Sequence, residues 1–327
     1  MFFYFKKIEV HHVENVPKDK SVLILSNHQN ALLDALLIAT KCGRFVHYLT
    51  RASVFKKSFV DTLLRSLQML PVYRVRDGWN NLSKNNPIFE TCSELLSKNE
   101  GVVIFPEGSH NLNRTVRPLS KGFTRIIFET LKKYPETDLQ LVPVGLNFIK
   151  AKEWEDSVSI YFGEPIKAKN YITDYTNADV LALKQVVHSN ISELTTHIPS
   201  DDYDTILNRL EELNVNFLDP VRTNKCIASN FEECIVNKRN SFSVFKSVLK
   251  FLLKILLIGP YLIWSYYAKP KIVEIEFMST FRFAVALTLV PIWLIFFGVL
   301  FLFLFGWMAG VGFVVFVLLV ELLLIKF

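Results

Sequence analysis

Ser26-Asn27-His28-Gln29-Asn30-Ala31-Leu32-Leu33-Asp34 places an imidazole and a carboxylate directly after an apolar run, Ser21 to Leu25. That run lacks polar alternation, so it reads as a strand buried on both faces, as in a sheet covered by helices. Ala31 to Lys41 is apolar and helix-favouring, with Asn30 available as N-cap and Gly43 as a stop. His28 then lies in the turn before a helix and Asp34 within its first turns. A general base needs an imidazole whose second nitrogen is held by an acceptor, which fixes the tautomer and stabilises the cation that forms. This stretch supplies both partners. The bland alternative is a helix-capping turn with an incidental histidine.

Two further apolar runs end in turns of the same kind. Gly101 to Phe105 leads into Pro106-Glu107-Gly108-Ser109-His110, and Leu141-Val142-Pro143-Val144-Gly145 forms another. Before both, Leu70-Pro71-Val72-Tyr73-Arg74-Val75-Arg76-Asp77-Gly78 reads as a strand and turn in which Arg74 and Arg76 share a face. Gly108 lets the backbone approach a ligand closely, and its neighbouring amides suit a phosphate or a developing oxyanion. Phe45 to Thr50 is a short strand candidate that leads into Arg51 to Lys57. Phe59 to Met69, Ile88 to Leu96 and Phe123 to Lys133 have helical spacing, and Val158 to Phe162 reads as one more strand. The fold class is therefore α/β, a mixed sheet flanked by helices, followed by a C-terminal membrane helical region.

The ordered set of blocks resembles the membrane glycerolipid acyltransferases: a His/Asp block, an Arg block, a Phe-Pro-Glu-Gly block and a Val-Pro block, over residues 20 to 165. The resemblance implies O-acyl transfer from an acyl thioester, acyl-CoA or acyl carrier protein, to a glycerol-phosphate acceptor in phospholipid biosynthesis, with no cofactor. It implies catalytic roles for His28 and Asp34, with Glu107 organising the acceptor or the turn. Arg74, Arg76, Gly108, Ser109 and Lys121 become substrate-binding candidates, and the Val-Pro block a lining of the acyl site. A guanidinium suits a phosphate because its donor fork engages two oxygens together. The block here is Glu107-Gly108-Ser109-His110-Asn111, without the Arg common in the family. Arg114, Arg117 or Lys121 then supplies the charge.

A second departure is the His–Asp spacing. Five residues, Gln29 to Leu33, separate the pair where four are usual. One extra residue on an unbroken helix rotates the side chain by about 100°. The His–Asp contact therefore requires that the extra residue be absorbed around Gln29-Asn30. This spacing resembles the branch with glycerol-3-phosphate and dihydroxyacetone-phosphate acyltransferases, whereas the membrane elements favour 1-acyl-sn-glycerol-3-phosphate as acceptor. A membrane-anchored lipid-binding protein without turnover is the different-class alternative, and intact His28 and Asp34 disfavour it. A hydrolase or transacylase is a nearer rival. A serine hydrolase built on Ser109 lacks a Gly-x-Ser-x-Gly elbow, and a metal site from His28, Asp34, Glu107 and His110 lacks ligand spacing.

Composition agrees with a soluble-like domain followed by a membrane region. Net charge is +6 and half the residues are apolar, with 28 Phe. The apolar excess is concentrated after residue 243. A modest basic surplus without a dense Lys/Arg tract fits anionic headgroups or phosphate substrates rather than nucleic acid. Cys42, Cys92, Cys226 and Cys234 read as reduced thiols of a cytosol-facing domain. Residues 1–213 are expected to form the catalytic domain and 214–243 a linker or helical extension. Met1 to Lys7 is too short for a signal peptide and suits the membrane surface. His188 and His197 are expected on polar faces.

Residues 244–267 carry Lys246, Lys250 and Lys254 every four positions beside Leu249, Leu252, Leu253 and Leu256, which suits an amphipathic helix in the interface, broken at Gly259-Pro260, over the alternative of a spanning helix. Residues 283–325 read as a transmembrane helical hairpin, since a span needs roughly 20 apolar residues. Gly306, Gly310 and Gly312 mark its bend. Lys269, Lys271, Arg282 and Lys326 at its ends predict that the catalytic domain faces the cytoplasm.

Overall fold

The computed structural model describes residues 1–74, 83–236 and 243–326. The chain opens with β1 (Lys7–His11), β2 (Ser21–Ser26), α1 (Leu32–Lys41), β3 (Val46–Arg51), α2 (Ser58–Ser66), β4 (Met69–Val72) and α3 (Asn86–Ser97). It continues through β5 (Gly101–Ile104), α4 (Gly122–Lys133), β6 (Leu139–Phe148), β7 (Ser157–Phe162) and β8 (Ile166–Lys167). Three helices follow, α5 (Asn177–Leu194), α6 (Tyr203–Glu212) and α7 (Pro220–Ala228). The last part is α8 (Ser243–Leu256), α9 (Ile258–Leu262), α10 (Met278–Phe305) and α11 (Trp307–Lys326).

The strands form one mixed sheet in the order β1-β7-β6-β2-β5-β3-β4, with β8 beside β6. β6, β2, β5, β3 and β4 run parallel, whereas β7 and β8 meet β6 antiparallel. Every residue of β2 and β6 is buried, as the absence of alternation predicts for strands with both faces covered. One face packs against α1, Phe55, Leu64 of α2 and Phe283 of α10. The other is covered by α3, α4 and α5, through Phe89, Phe123 and Val187. The Val-Pro block is the middle of β6 and is buried throughout. It supports the sheet from within. Gly145 is required there because an added Cβ would lie 2.0 Å from the Leu194 carbonyl oxygen.

Four local expectations are corrected. Asn30 does not cap α1; Ala31 precedes the helix, and the Asn30 amide nitrogen side chain instead donates to the Ala151 carbonyl at 2.6 Å. Cys226 and Cys234 form a disulfide rather than two free thiols. Asn230 and Phe231 adopt positive φ after α7 and fold the chain back on itself, a local reversal that an eight-residue cysteine separation does not announce. Cys42 and Cys92 are free and buried. His188 and His197 are half-buried and clasp Val116, whose N–H donates to His197 Nδ1 at 3.0 Å and whose carbonyl lies 3.2 Å from His188 Nε2. Residues past 213 stay with the domain through Leu218, whose carbonyl accepts from Ser159 Oγ and Tyr161 OH.

The fourth correction concerns 244–267, whose first helix ends at Leu256, short of the break expected at Gly259-Pro260. α8 and the helical segment after it meet at an angle of 97°. The lysine stripe is also partly occupied: Lys246 and Lys250 reach the buried Glu155 carboxylate at 2.7 and 2.9 Å. Leu249 and Leu253 pack against Leu294 of α10 and Val317 of α11. α10 and α11 are each long and apolar enough to cross a membrane. Gly306, at φ 89°, makes the bend between them, and a Cβ on Gly310 would sit 2.5 Å from the Gly298 carbonyl. The hairpin is tight because both positions are Gly.

Candidate active site

Parallel pairing decides what meets at the site. Leu25 of β2 is in register with Ile104 of β5, and Tyr48 of β3 with Val103. Arg51 at the end of β3 is opposite Val72 at the end of β4. The turns carrying His28 and Glu107 therefore leave the sheet side by side at its carboxyl edge, flanked by Arg51 and Arg74. Ligands collect at that edge in open parallel sheets. Backbone bonds fix the turns to one another. Asn111 N–H donates to the His28 carbonyl at 2.9 Å, and Ser120 N–H to the Pro106 carbonyl at 2.7 Å. Asn27 pairs through its side-chain amide with both main-chain groups of Leu146.

His28 Nδ1 lies 2.8 Å from Asp34 Oδ2. That oxygen also accepts the N–H groups of Gln29 at 2.8 Å and Asn30 at 2.7 Å. Asp34 is fully buried and His28 is 15% exposed. A carboxylate at Nδ1 accepts the proton carried there, which leaves Nε2 facing outward as the acceptor nitrogen. The extra residue between the pair is absorbed at Ala31, whose φ of 43° and ψ of −123° turn the chain sharply before α1 begins at Leu32. The adjustment falls one residue beyond the Gln29-Asn30 position expected from spacing. Phe105 stacks on the His28 ring at 4.0 Å between centroids.

The Glu-Gly turn is held by Arg117. Its Nε meets Glu107 Oε2 at 2.7 Å, Nη1 donates to Ser109 Oγ at 2.8 Å, and Nη2 donates to the Ser109 carbonyl. Burial pushes the Glu107 carboxyl up, while Arg117, followed by the His28 side, pulls it back. Gly108 has φ +74° and nothing within 4 Å of where a Cβ would stand. Its own N–H is used inside the turn, donating to the Phe105 carbonyl at 3.1 Å. Any oxyanion donor must therefore be a neighbouring amide. Arg74 Nη1 reaches the Gly108 carbonyl at 3.4 Å. Lys121 is exposed at the start of α4. Arg76 lies outside the described residues.

Of the three cations offered as replacements for the missing Arg, two are structural. Arg117 clamps the turn. Arg114 donates to the Phe148 and Ile149 carbonyls at 2.8 Å, lies 3.7 Å above the Phe217 ring, and is lowered by burial to about 10. His110 comes edge-on to His28 at 5.5 Å between ring centroids. Burial, then His28, pushes the His110 imidazole down. Among the described residues, no group of three or more His, Cys, Asp or Glu is placed to hold a metal ion.

Sequence reasoning missed the segment just before α10. Glu274 lies 3.4 Å from His110 Nε2 and 3.9 Å from Arg51 Nη1, and Glu276 lies 3.9 Å from His110 Nδ1. Phe277 packs edge-on against the same ring at 4.8 Å. Two carboxylates more than 160 positions downstream carry no local signal of this contact.

With a buried Asp–His pair beside a glycine turn at the carboxyl edge of the sheet, the comparison with known proteins is direct. Residues 7–147 match the family model described as Acyltransferase. Over that stretch the chain is similar to the acyltransferase family. It is similar to glycerol-3-phosphate O-acyltransferase 1 of Saccharomyces cerevisiae, 25% identical over 126 residues, which covers 37% of this chain and 16% of that protein. It also resembles an uncharacterized acyltransferase of Schizosaccharomyces pombe, 22% identical over 125 residues, with 18% of that protein covered. The 1-acyl-sn-glycerol-3-phosphate acyltransferase of Borreliella burgdorferi is 24% identical over 214 residues, covering 64% of this chain and 74% of that protein. The chain thus spans less than a fifth of either yeast relative. Among solved structures, the 1-acyl-sn-glycerophosphate (LPA) acyltransferase PlsC of Thermotoga maritima aligns with a TM-score of 0.42 at 18% identity, over 57% of this chain and 72% of that one. The matched stretch, residues 7–147, contains both the His28–Asp34 pair and the Glu107 turn.

Proposed function

We propose that the protein transfers a fatty acyl chain from an acyl thioester, acyl-CoA or acyl carrier protein, to the free hydroxyl of 1-acyl-sn-glycerol-3-phosphate. The observation that carries this reading is the 2.8 Å contact between His28 Nδ1 and the fully buried Asp34. His28 Nε2 takes the hydroxyl proton as the acceptor oxygen attacks the thioester carbonyl carbon. Asp34 holds the ring and stabilises the imidazolium. The carbon–sulfur bond then breaks, and the proton passes from His28 to the departing thiolate. Amides of the turn at Gly108 serve the oxyanion, and Arg74, with Ser109 and Lys121, holds the phosphate. Glu107 organises the turn through Arg117.

The preference for an acceptor already in the membrane is supported by the contacts of His110 with the lead-in to α10. A site walled by a juxtamembrane segment is reached from the bilayer edge. Residues 1–213 act as the catalytic unit, with α10 and α11 as its anchor, and Lys269, Lys271, Arg282 and Lys326 keep both ends on the cytoplasmic side. The test is an assay of purified protein with one acyl thioester and glycerol-3-phosphate, dihydroxyacetone phosphate or 1-acyl-sn-glycerol-3-phosphate supplied separately. The lysophosphatidic acceptor should be preferred. A clear preference for a water-soluble acceptor would overturn the choice, and turnover without a thioester donor would replace transfer by transacylation or hydrolysis.

A further inference from the structure

α2 has helical geometry and no buried residue. Phe59, Leu63 and Leu67 recur every four positions on one side of it and are 79%, 47% and 53% exposed. Val54, just before the helix, is 45% exposed. A helix about 14 Å long with a continuous uncovered apolar stripe is costly in water. The opposite side carries the Asp61–Arg65 pair, and Leu64, on the flank between pair and stripe, packs on the sheet together with Phe55. Lys56 and Lys57 stand exposed at the start of the helix.

Its place in the fold identifies what covers the stripe. Leu64 and Phe55 pack on the same sheet face as Phe283 of α10, while α3, α4 and α5 occupy the other face. Arg51, which leads into this segment, contacts Glu274 at 3.9 Å, four residues before α10 starts. On either side of Glu274, Val273 and Ile275 are also exposed. The apolar stripe thus continues from the point where the chain enters its first membrane-spanning helix.

We infer that α2 lies on the bilayer, with Phe59, Leu63 and Leu67 inserted among the acyl chains and Lys56 and Lys57 at anionic headgroups. An amphipathic helix of this kind sits about 5–10 Å into the headgroup and acyl boundary. The catalytic domain is then held at two points, α2 and the α10 lead-in, with the His28 edge of the sheet between them. The inference rests on α10 and α11 spanning the bilayer, but not on which acceptor is used.

The experiment places a single environment-sensitive fluorophore on an introduced cysteine in the full chain, reconstituted in phosphatidylcholine–phosphatidylglycerol vesicles. Cys42 and Cys92 are buried and the other two cysteines are bonded, so labelling is confined to the new site. Leu63→Cys is the test. Phe303→Cys on α10 reports the spans, and Leu181→Cys, an exposed apolar position on α5, reports the far face. Nitroxide lipids should quench the probe at 63, more strongly with the nitroxide near the headgroup than at the chain terminus, and leave the probe at 181 unquenched. Quenching at 303 with none at 63 would overturn the docking of α2 alone. No quenching at 303 would overturn the spans and the inference together. Protection at 63 from a water-soluble quencher in detergent, growing with protein concentration, would assign the stripe to a second copy of the chain instead.

Discussion

Asp34 reaches His28 across five intervening residues because Ala31 turns at φ 43°, so that one carboxylate oxygen accepts from the imidazole and from the main chain of Gln29 and Asn30 together. The two amides fix the carboxylate, and the carboxylate fixes the ring. Asp34→Asn removes the charge while keeping the shape. It is expected to lower kcat by about 10²–10⁴-fold, through loss of the correct tautomer and of the imidazolium's partner. Steady-state rates with a folded, membrane-bound variant check this, and rates within a few-fold of the parent would separate Asp34 from catalysis.

The same turn predicts a stability effect. A non-glycine residue at positive φ is held at a cost of order 1–3 kcal/mol, against which glycine adds about 0.5–1 kcal/mol of unfolded-chain entropy. Ala31→Gly should therefore leave thermal stability unchanged or raise it, with activity retained. Ala31→Val should lower both, since a β-branched residue resists this conformation. Melting in detergent distinguishes them, and a Gly variant less stable than the Val variant would show that Ala31 is not strained.

Asp156 gives a pH dependence. Burial raises its carboxyl from 3.8 to about 6, with the N–H groups of Lys150 and Ser157 opposing the shift. The folded state binds this proton more tightly than the unfolded chain, so the contribution is present below pH 3.8 and is lost as pH rises towards about 6. Asp156→Asn should flatten the stability profile across that window, by on the order of 2 kcal/mol. An unchanged slope would mean another group titrates there.

Lys246 and Lys250 also couple the membrane helices to the domain. Their joint replacement by Ala leaves the Glu155 carboxylate, 4% exposed, without either cation. The cost should exceed that of Glu155→Ala, which leaves two lysines able to turn to water, by about 1–3 kcal/mol. Hydrogen exchange across α8 reads the difference. Equal protection in the two variants would make the pairs incidental.

The fold class and the His28–Asp34 and Glu107 turns were legible because each depends on a short, local pattern: an unbroken apolar strand, then polar residues, then a helix. The five residues between His28 and Asp34 require a turn before the helix, and it falls at Ala31, one residue from Asn30. What escaped was non-local. Arg117 resembles any loop cation until its three bonds close the Glu107 turn, and Glu274 and Phe277 reach His110 only through the three-dimensional route of the chain into α10. The Cys226–Cys234 bond depends on two successive positive-φ residues; Asn230 takes that conformation readily, but nothing about Phe231 announces it. The lysine stripe of α8 is legible as amphipathic, but a periodic pattern cannot say whether lipid or a buried Glu155 takes the charges.

The most direct measurement is the rate of acyl transfer by His28→Ala, purified beside the parent protein and assayed with one acyl thioester and 1-acyl-sn-glycerol-3-phosphate. The variant should stay folded and membrane-bound, with kcat reduced by about 10²–10⁴-fold. A folded His28→Ala protein that turns over at a near-parental rate would contradict the assignment of His28 as the base.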